Sequence, residues 1–134
     1  KHILNALRKA TGDAVWITDG QGRVYKTLIV RKKPHLTLKI ENRSRFARRG
    51  PHIVLAVGFI RANRLDFLIE KGTELGVTAF HLIRSHYANY HSSNMSRFGK
   101  ITRQAIKQSR QYYLPEIILH SDFQSFFERS RSFD

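Results

Sequence analysis

The chain has 134 residues, no cysteine, and 24 Lys+Arg against 10 Asp+Glu, a formal net charge of +14. That length holds one ordinary domain or two small ones. The absence of cysteine excludes a disulfide framework, a thiolate zinc site and a cysteine nucleophile, and no apolar run approaches the roughly 18 residues that span a bilayer. A surface this basic attracts polyanions, because each neutralised phosphate releases counterions. The excess is uneven: residues 1–50 carry 13 Lys+Arg and 3 acids, net +10, while residues 51–134 carry 11 and 7, net +4.

Ile3, Leu4 and Leu7 fall at helical spacing, so residues 1–9 read as a short helix. Thr11-Gly12-Asp13 is a turn. Ala14–Thr18 reads as a strand, Asp19-Gly20-Gln21-Gly22 as a hairpin turn, and Arg23–Arg31 as the returning strand. Lys32-Lys33-Pro34 breaks it, and His35–Glu41 alternates again. This is a small antiparallel β-unit, with too few residues for a closed barrel and with a further strand expected upstream. Residues 42–52 are rich in arginine and end in Gly50-Pro51-His52, which reads as a linker whose arginines could also grip phosphates.

The pattern then changes. Ile53–Val57 is a continuous apolar run, as in a strand buried on both faces of a parallel sheet. Arg64–Leu75 follows as a helix with Leu65, Leu68, Ile69, Gly72 and Leu75 inward and Gly76 as its left-handed cap. Val77–Ile83 is a second strand. A polar loop, Arg84–Ser96, leads to a helix over Arg97–Gln111 with Phe98, Ile101 and Ala105 inward. Glu116–His120 is a third strand. Asp122–Arg129 is a short helix whose Phe123, Phe126 and Phe127 need a surface to cover. The fold class is α/β: an antiparallel β-unit over 1–48, then a parallel βαβαβα segment over 49–134.

Few residues form constellations with chemistry. His81, His86 and His91 are spaced by five, which puts no two on one helical face and gives no metal pattern. There is no Gly-x-Ser-x-Gly elbow, Walker loop or dinucleotide fingerprint. Lys71 and Glu74 stand near a helix end, where a local ion pair is the simplest role. Gln108-Ser109-Arg110-Gln111-Tyr112-Tyr113 combines an arginine for phosphate with tyrosines that can stack on an exposed base.

Several blocks together resemble the RsmE-type ribosomal RNA methyltransferases. They are Lys1-His2-Ile3-Leu4-Asn5-Ala6-Leu7-Arg8, Thr11-Gly12-Asp13, Asp19-Gly20, Arg61-Ala62-Asn63-Arg64-Leu65-Asp66, Glu70–Val77, and Gln108-Ser109 with Leu114-Pro115-Glu116. They occur in the family's order along almost the whole chain. The resemblance implies a PUA-like RNA-binding β-barrel, incomplete here (1–48), followed by a SPOUT methyltransferase domain (49–134) that ends before its trefoil knot. It implies methyl transfer from S-adenosylmethionine to uridine N3 of 16S ribosomal RNA, on the small ribosomal subunit, by a cytoplasmic homodimer with no membrane partner. On this reading Arg8, Arg31, Lys32, Arg45, Lys71 and Arg110 contact RNA, and Glu74, Arg61 and Gln108 are the candidate catalytic residues. Two departures stand out. Arg84-Ser85-His86-Tyr87 replaces the family's Ser-Glu-Arg-Ser/Thr loop, and Gly72 replaces an alanine, at about 1 kcal/mol of helix propensity. No glycine follows Gly99, so no residue of this chain is assigned to the cofactor. The chain is expected to be part of an enzyme roughly a hundred residues longer, inactive alone. The alternative is a non-catalytic basic RNA-binding protein. A duplex-DNA binder ranks last, for want of a helix-turn-helix or zinc signature.

Overall fold

The computed structural model describes residues 9–85 and 94–130. The chain forms two compact units, Lys1–Arg48 and Arg49–Asp134. The expected first helix, apart from Lys9, and His86, Tyr87 and His91 lie outside the described residues.

In the first unit, β1 (Ala14–Thr18), β2 (Arg23–Arg31) and β3 (Thr37–Arg45) make an antiparallel sheet in the order β1-β2-β3. Among the described residues it is an open sheet and not a closed barrel. Directly opposed residues share a face, so the pairs Val15↔Thr27, Ile17↔Tyr25, Thr27↔Ile40 and Ile29↔Leu38 place Val15, Ile17, Ile29, Leu38 and Ile40 on one side, while Val24 is buried on the other. On the first side Val15, Thr27 and Ile29 are buried, and the Thr27 hydroxyl donates to the Val15 carbonyl at 2.9 Å. Gly20 and Gly22 both hold positive φ, 74° and 85°, in the β1–β2 turn, where a side chain would be strained.

β3 runs past the expected linker boundary at Glu41. Asn42, Arg43, Ser44 and Arg45 pair with Lys26, Tyr25, Val24 and Arg23. Their polar composition hid a strand that is held by its partner's backbone rather than by its own apolar side chains. The register shifts between Lys26 and Thr27, where Glu41 is the extra residue. Such a bulge reverses the facing of everything beyond it. Arg43 and Arg45 therefore share the face of Leu38 and Ile40, which simple alternation along the strand would deny them.

The second unit is a parallel sheet, β4 (Val54–Gly58), β5 (Ala79–Ile83) and β6 (Glu116–His120), in that spatial order. α1 (Ala62–Glu74) and α2 (Met95–Ser109) are the crossovers, and α3 (Phe123–Ser130) follows β6. All five residues of β5 are buried, as a central strand requires. The core is Phe59, Leu65, Ile69, Phe80, Leu82 and Phe98, with Leu68 and Ile101 packed against it. Phe80 and Leu82 alternate with His81, which meets Phe126 of α3, so α3 covers the other face of the sheet.

Two expectations for this unit are corrected. Leu75 does not point inward: it is 82% exposed, because α1 ends at Glu74 and Leu75 is its C-cap. Val77 takes the core position instead, after Gly76 turns at φ 91°. On α3 only Phe126 is covered well, while Phe123 and Phe127 are 53% and 58% exposed. The start of α2 is set by Asn94, whose side chain accepts from the Arg97 amide at 3.0 Å. Asn94→Ala is expected to cost about 1 kcal/mol, read as a lower urea midpoint with unchanged slope; an unchanged midpoint would show that the cap contributes nothing.

Candidate functional site

All three strands of the second unit are parallel, so the sheet has one carboxyl edge, formed by Gly58, Ile83 and His120. Open sheets of this type bind ligands in the crevice outside that edge. Pairing continues just beyond it: the Phe59 amide donates to the Ile83 carbonyl at 3.1 Å and the Arg84 amide to the His120 carbonyl at 3.0 Å. Here Phe59, Ile60, Arg61 and Arg64 line a cleft of about 370 Å³. Arg61 is the N-cap of α1, and its carbonyl accepts from the amides of Arg64 and Leu65. Arg97 in the first turn of α2 pairs with Asp66 in α1 and joins the two helix starts. The exposed Arg84 leaves β5 at the same edge.

Glu74, Lys71 and Gln108 come together elsewhere. With Glu70, Ile101, Gln104 and Ala105 they line a groove of about 280 Å³ between α1 and α2. The Lys71 ammonium lies 2.9 Å from Glu74 and 3.0 Å from Glu70. Hydrogen bonds to these carboxylates, Glu74 first, hold it above the ordinary lysine range. The Gln111 side-chain amide donates to the Glu74 carbonyl at 2.7 Å and ties off the end of α1. This groove is at the wrong end for the crevice, since the C-terminal end of α1 leads into the amino end of β5. Arg61 and Glu74 bracket the whole of α1, about 20 Å apart at 1.5 Å per residue.

The expected RNA contacts also separate. Arg8 lies outside the described residues. Arg31 and Lys32 stand at one end of β2, and Arg45 is opposite Arg23 at the other, about 25 Å away at 3.3 Å per residue. Arg110 is exposed just past α2, in a left-handed conformation (φ 55°) that costs a non-glycine residue about 1 kcal/mol. Sequence reasoning missed Arg84 and Arg97 at the carboxyl edge, and Arg23 and Tyr25 in the first unit, and it placed Arg43 in a linker rather than on a strand. The former were open to the rule that strand carboxyl ends bind ligands. The latter needed the register.

Residues 48–134 match the family described as RNA methyltransferase domain, more than half of the chain. The chain belongs to this RNA methyltransferase domain family. The RsmE-type resemblance finds support in Ribosomal RNA small subunit methyltransferase E of Bacillus subtilis (strain 168), which is 26% identical over 141 residues, 99% of this chain and 55% of the relative. A crystal structure of a Ribosomal RNA small subunit methyltransferase E from Neisseria gonorrhoeae, bound to S-adenosyl methionine, superposes with a TM-score of 0.82 at 21% identity, covering 96% of this chain and 55% of that one. A predicted RNA methyltransferase from Thermotoga maritima gives 0.79 at 25% identity, covering 90% and 56%. The chain thus spans about half the length of the methyltransferases it matches. Its family fold is the mixed α/β arrangement described above, an antiparallel and then a parallel three-stranded sheet.

Proposed function

We propose that this chain is the RNA-facing half of an RsmE-type enzyme that methylates uridine N3 of 16S ribosomal RNA with S-adenosylmethionine. The observation that carries the reading is the family match over the whole second unit, residues 48–134. S-adenosylmethionine supplies a methyl group on a sulfonium. A cofactor of this kind needs close backbone approach, which glycine permits. Gly58 stands at the carboxyl edge, and a Cβ there meets nothing within 4 Å. The proposal gives the described residues RNA and assigns none of them to the cofactor.

Arg61 and Arg64 are the expected substrate contacts, since they stand at the carboxyl edge with two planar guanidiniums for phosphate or base. Glu74 and Gln108 serve in this proposal to hold the α1–α2 pair, with Lys71 between Glu70 and Glu74. A cytoplasmic location and a homodimer follow from the same reading. No helix among the described residues is long and apolar enough to cross a membrane.

The test is incubation of the complete gene product with labelled S-adenosylmethionine and small-subunit particles, followed by mass spectrometry of digested 16S RNA. N3-methyluridine is expected; no methylated product at full cofactor occupancy would favour the non-catalytic RNA-binding alternative. Arg61→Ala is expected to lower kcat/KM by about 10- to 100-fold, the size of a lost charge-assisted hydrogen bond. Unchanged kcat/KM would remove Arg61 from the site.

A further inference from the structure

The two faces of the parallel sheet are covered by different chemistry. On one face α1 and α2 pack through Leu65, Ile69, Phe80, Leu82 and Phe98, none of which titrates. On the other, α3 is held chiefly by one ring. Among residues 123–129 only Ser125 and Phe126 are not exposed. Ser125 belongs to the helix start, where its amide donates to the Asp122 carboxylate at 2.7 Å. Phe123 and Phe127 are exposed, and their rings meet each other. A helix of two turns is marginal in water by itself, so α3 depends on what lies under Phe126.

Two histidines lie there. The Phe126 ring stands nearly perpendicular to His81 and to His120, with centroids 5.5 and 5.4 Å away. His81 is 0% and His120 5% exposed, and their rings stack with one nitrogen of each 2.9 Å apart. That contact needs one N–H and one lone pair, so the docked arrangement holds a pair with at most one proton too few to charge both rings. The other groups around His81 are few. β4 sets Ala56 directly opposite it, which carries no charge. β6 brings Glu116 besides His120, and α3 brings Arg129. Burial holds the His81 imidazole below its ordinary 6.5, His120 and Arg129 push the same way, and Glu116 opposes them.

We propose that α3 is a pH-released cover: a proton taken up by the His81–His120 pair lifts Phe126 and frees α3, while the sheet, α1 and α2 keep their places. With α3 docked, the added proton would sit in a buried site against a second N–H. With α3 lifted, the rings meet water and titrate near the ordinary value. Elements with few buried contacts open at a fraction of the cost of global unfolding, and α3 is such an element. His120 is the last residue of β6, so the segment set free starts at the carboxyl edge of the sheet. The release needs no RNA and no methyl donor, and it stands or falls apart from the function proposed above.

The test is hydrogen–deuterium exchange of the intact chain from pH 7.5 to 5.5, read by mass spectrometry and corrected for the intrinsic pH dependence of exchange. Protection of the α3 amides is expected to fall about tenfold over that range, the ratio for one histidine that titrates at 6.5 only when the helix is lifted. Peptides from α1 and β4 are expected to keep their protection. His81→Phe is expected to make α3 protection independent of pH, and Phe126→Ala to give low α3 protection at both pH values. Constant α3 protection in the unsubstituted chain would overturn the proposal. So would an equal loss in α3, α1 and β4, which is global unfolding, or an unaltered pH dependence in His81→Phe. If His81→Phe fails to fold, the comparison of α3 with α1 and β4 in the unsubstituted chain decides by itself.

Discussion

Phe80→Ala is expected to lower the stability of the second unit by about 3–5 kcal/mol, the range for a fully buried phenylalanine. Phe80 is 0% exposed on the central strand and faces α1. A domain's total stability is about 5–15 kcal/mol, so the variant is expected to be largely unfolded at modest urea. The more pointed experiment uses Gly72. A Cβ built there would lie 2.7 Å from both Cε1 and Cζ of Phe80. Helix propensity favours alanine over glycine by about 1 kcal/mol, while overpacking a core costs about 1–3 kcal/mol. Gly72→Ala is therefore expected to destabilise the native chain. In a Phe80→Leu background the ring edge is gone, and the same change is expected to stabilise. The double-mutant cycle is then expected to show about 1–3 kcal/mol of coupling. Urea melts of the four proteins measure it, and additivity would show that the ring and the glycine do not define each other.

Lowering the pH from 7.5 to 5.5 is expected to destabilise the second unit through His81. His120 Nε2 and His81 Nδ1 are 2.9 Å apart, the rings stack at 4.9 Å, and Phe126 sets its edge against both. One nitrogen of that bond carries the proton and the other accepts it, so a doubly protonated pair would oppose two N–H groups. Burial pushes the His81 imidazole below its ordinary 6.5, with the neighbouring His120 and Arg129 charges adding and Glu116 opposing. Below pH 6.5 the unfolded chain takes up a proton that the folded one refuses. The stability from neutral His81 is thus complete above the unfolded value and is lost as pH falls through it toward the folded one. The slope is about 1.4 kcal/mol per pH unit for one such group. His81→Phe is expected to flatten the dependence, and the unsubstituted chain and the variant falling in parallel would place the titration elsewhere.

Much of the second unit was legible because its strands are apolar runs and its helices have one apolar face. Glu116–His120 matches its expected bounds, and Ile53–Val57 is displaced by one residue. What stayed hidden was long-range. Gly72 reads in sequence as a pure cost; its reason is a ring eight residues on, across a helix–strand contact. His81 reads as one of many histidines, and its partner lies 39 positions away. Glu74 reads as a helix-end residue, and Arg61 enters only through the family resemblance. It takes the observed helix, Ala62–Glu74 with Arg61 as N-cap, and the strand direction to put them at opposite edges of the sheet. The end of β3 was missed because Asn42, Arg43, Ser44 and Arg45 have no apolar alternation to reveal a strand.

The bulge at Glu41 has a consequence for how the arginine-bearing face of β3 can change. Because side chains along a strand alternate with period two, loss of that single residue would leave the arginines in place along the chain but send Arg43 and Arg45 to the back of the sheet. Asn42 and Ser44 would come forward in their stead. The number of positive charges on β3 would be the same, yet their address would differ. In this strand the amount of charge and its location are set by different residues, so a one-residue insertion or deletion can redirect the basic face without altering its composition.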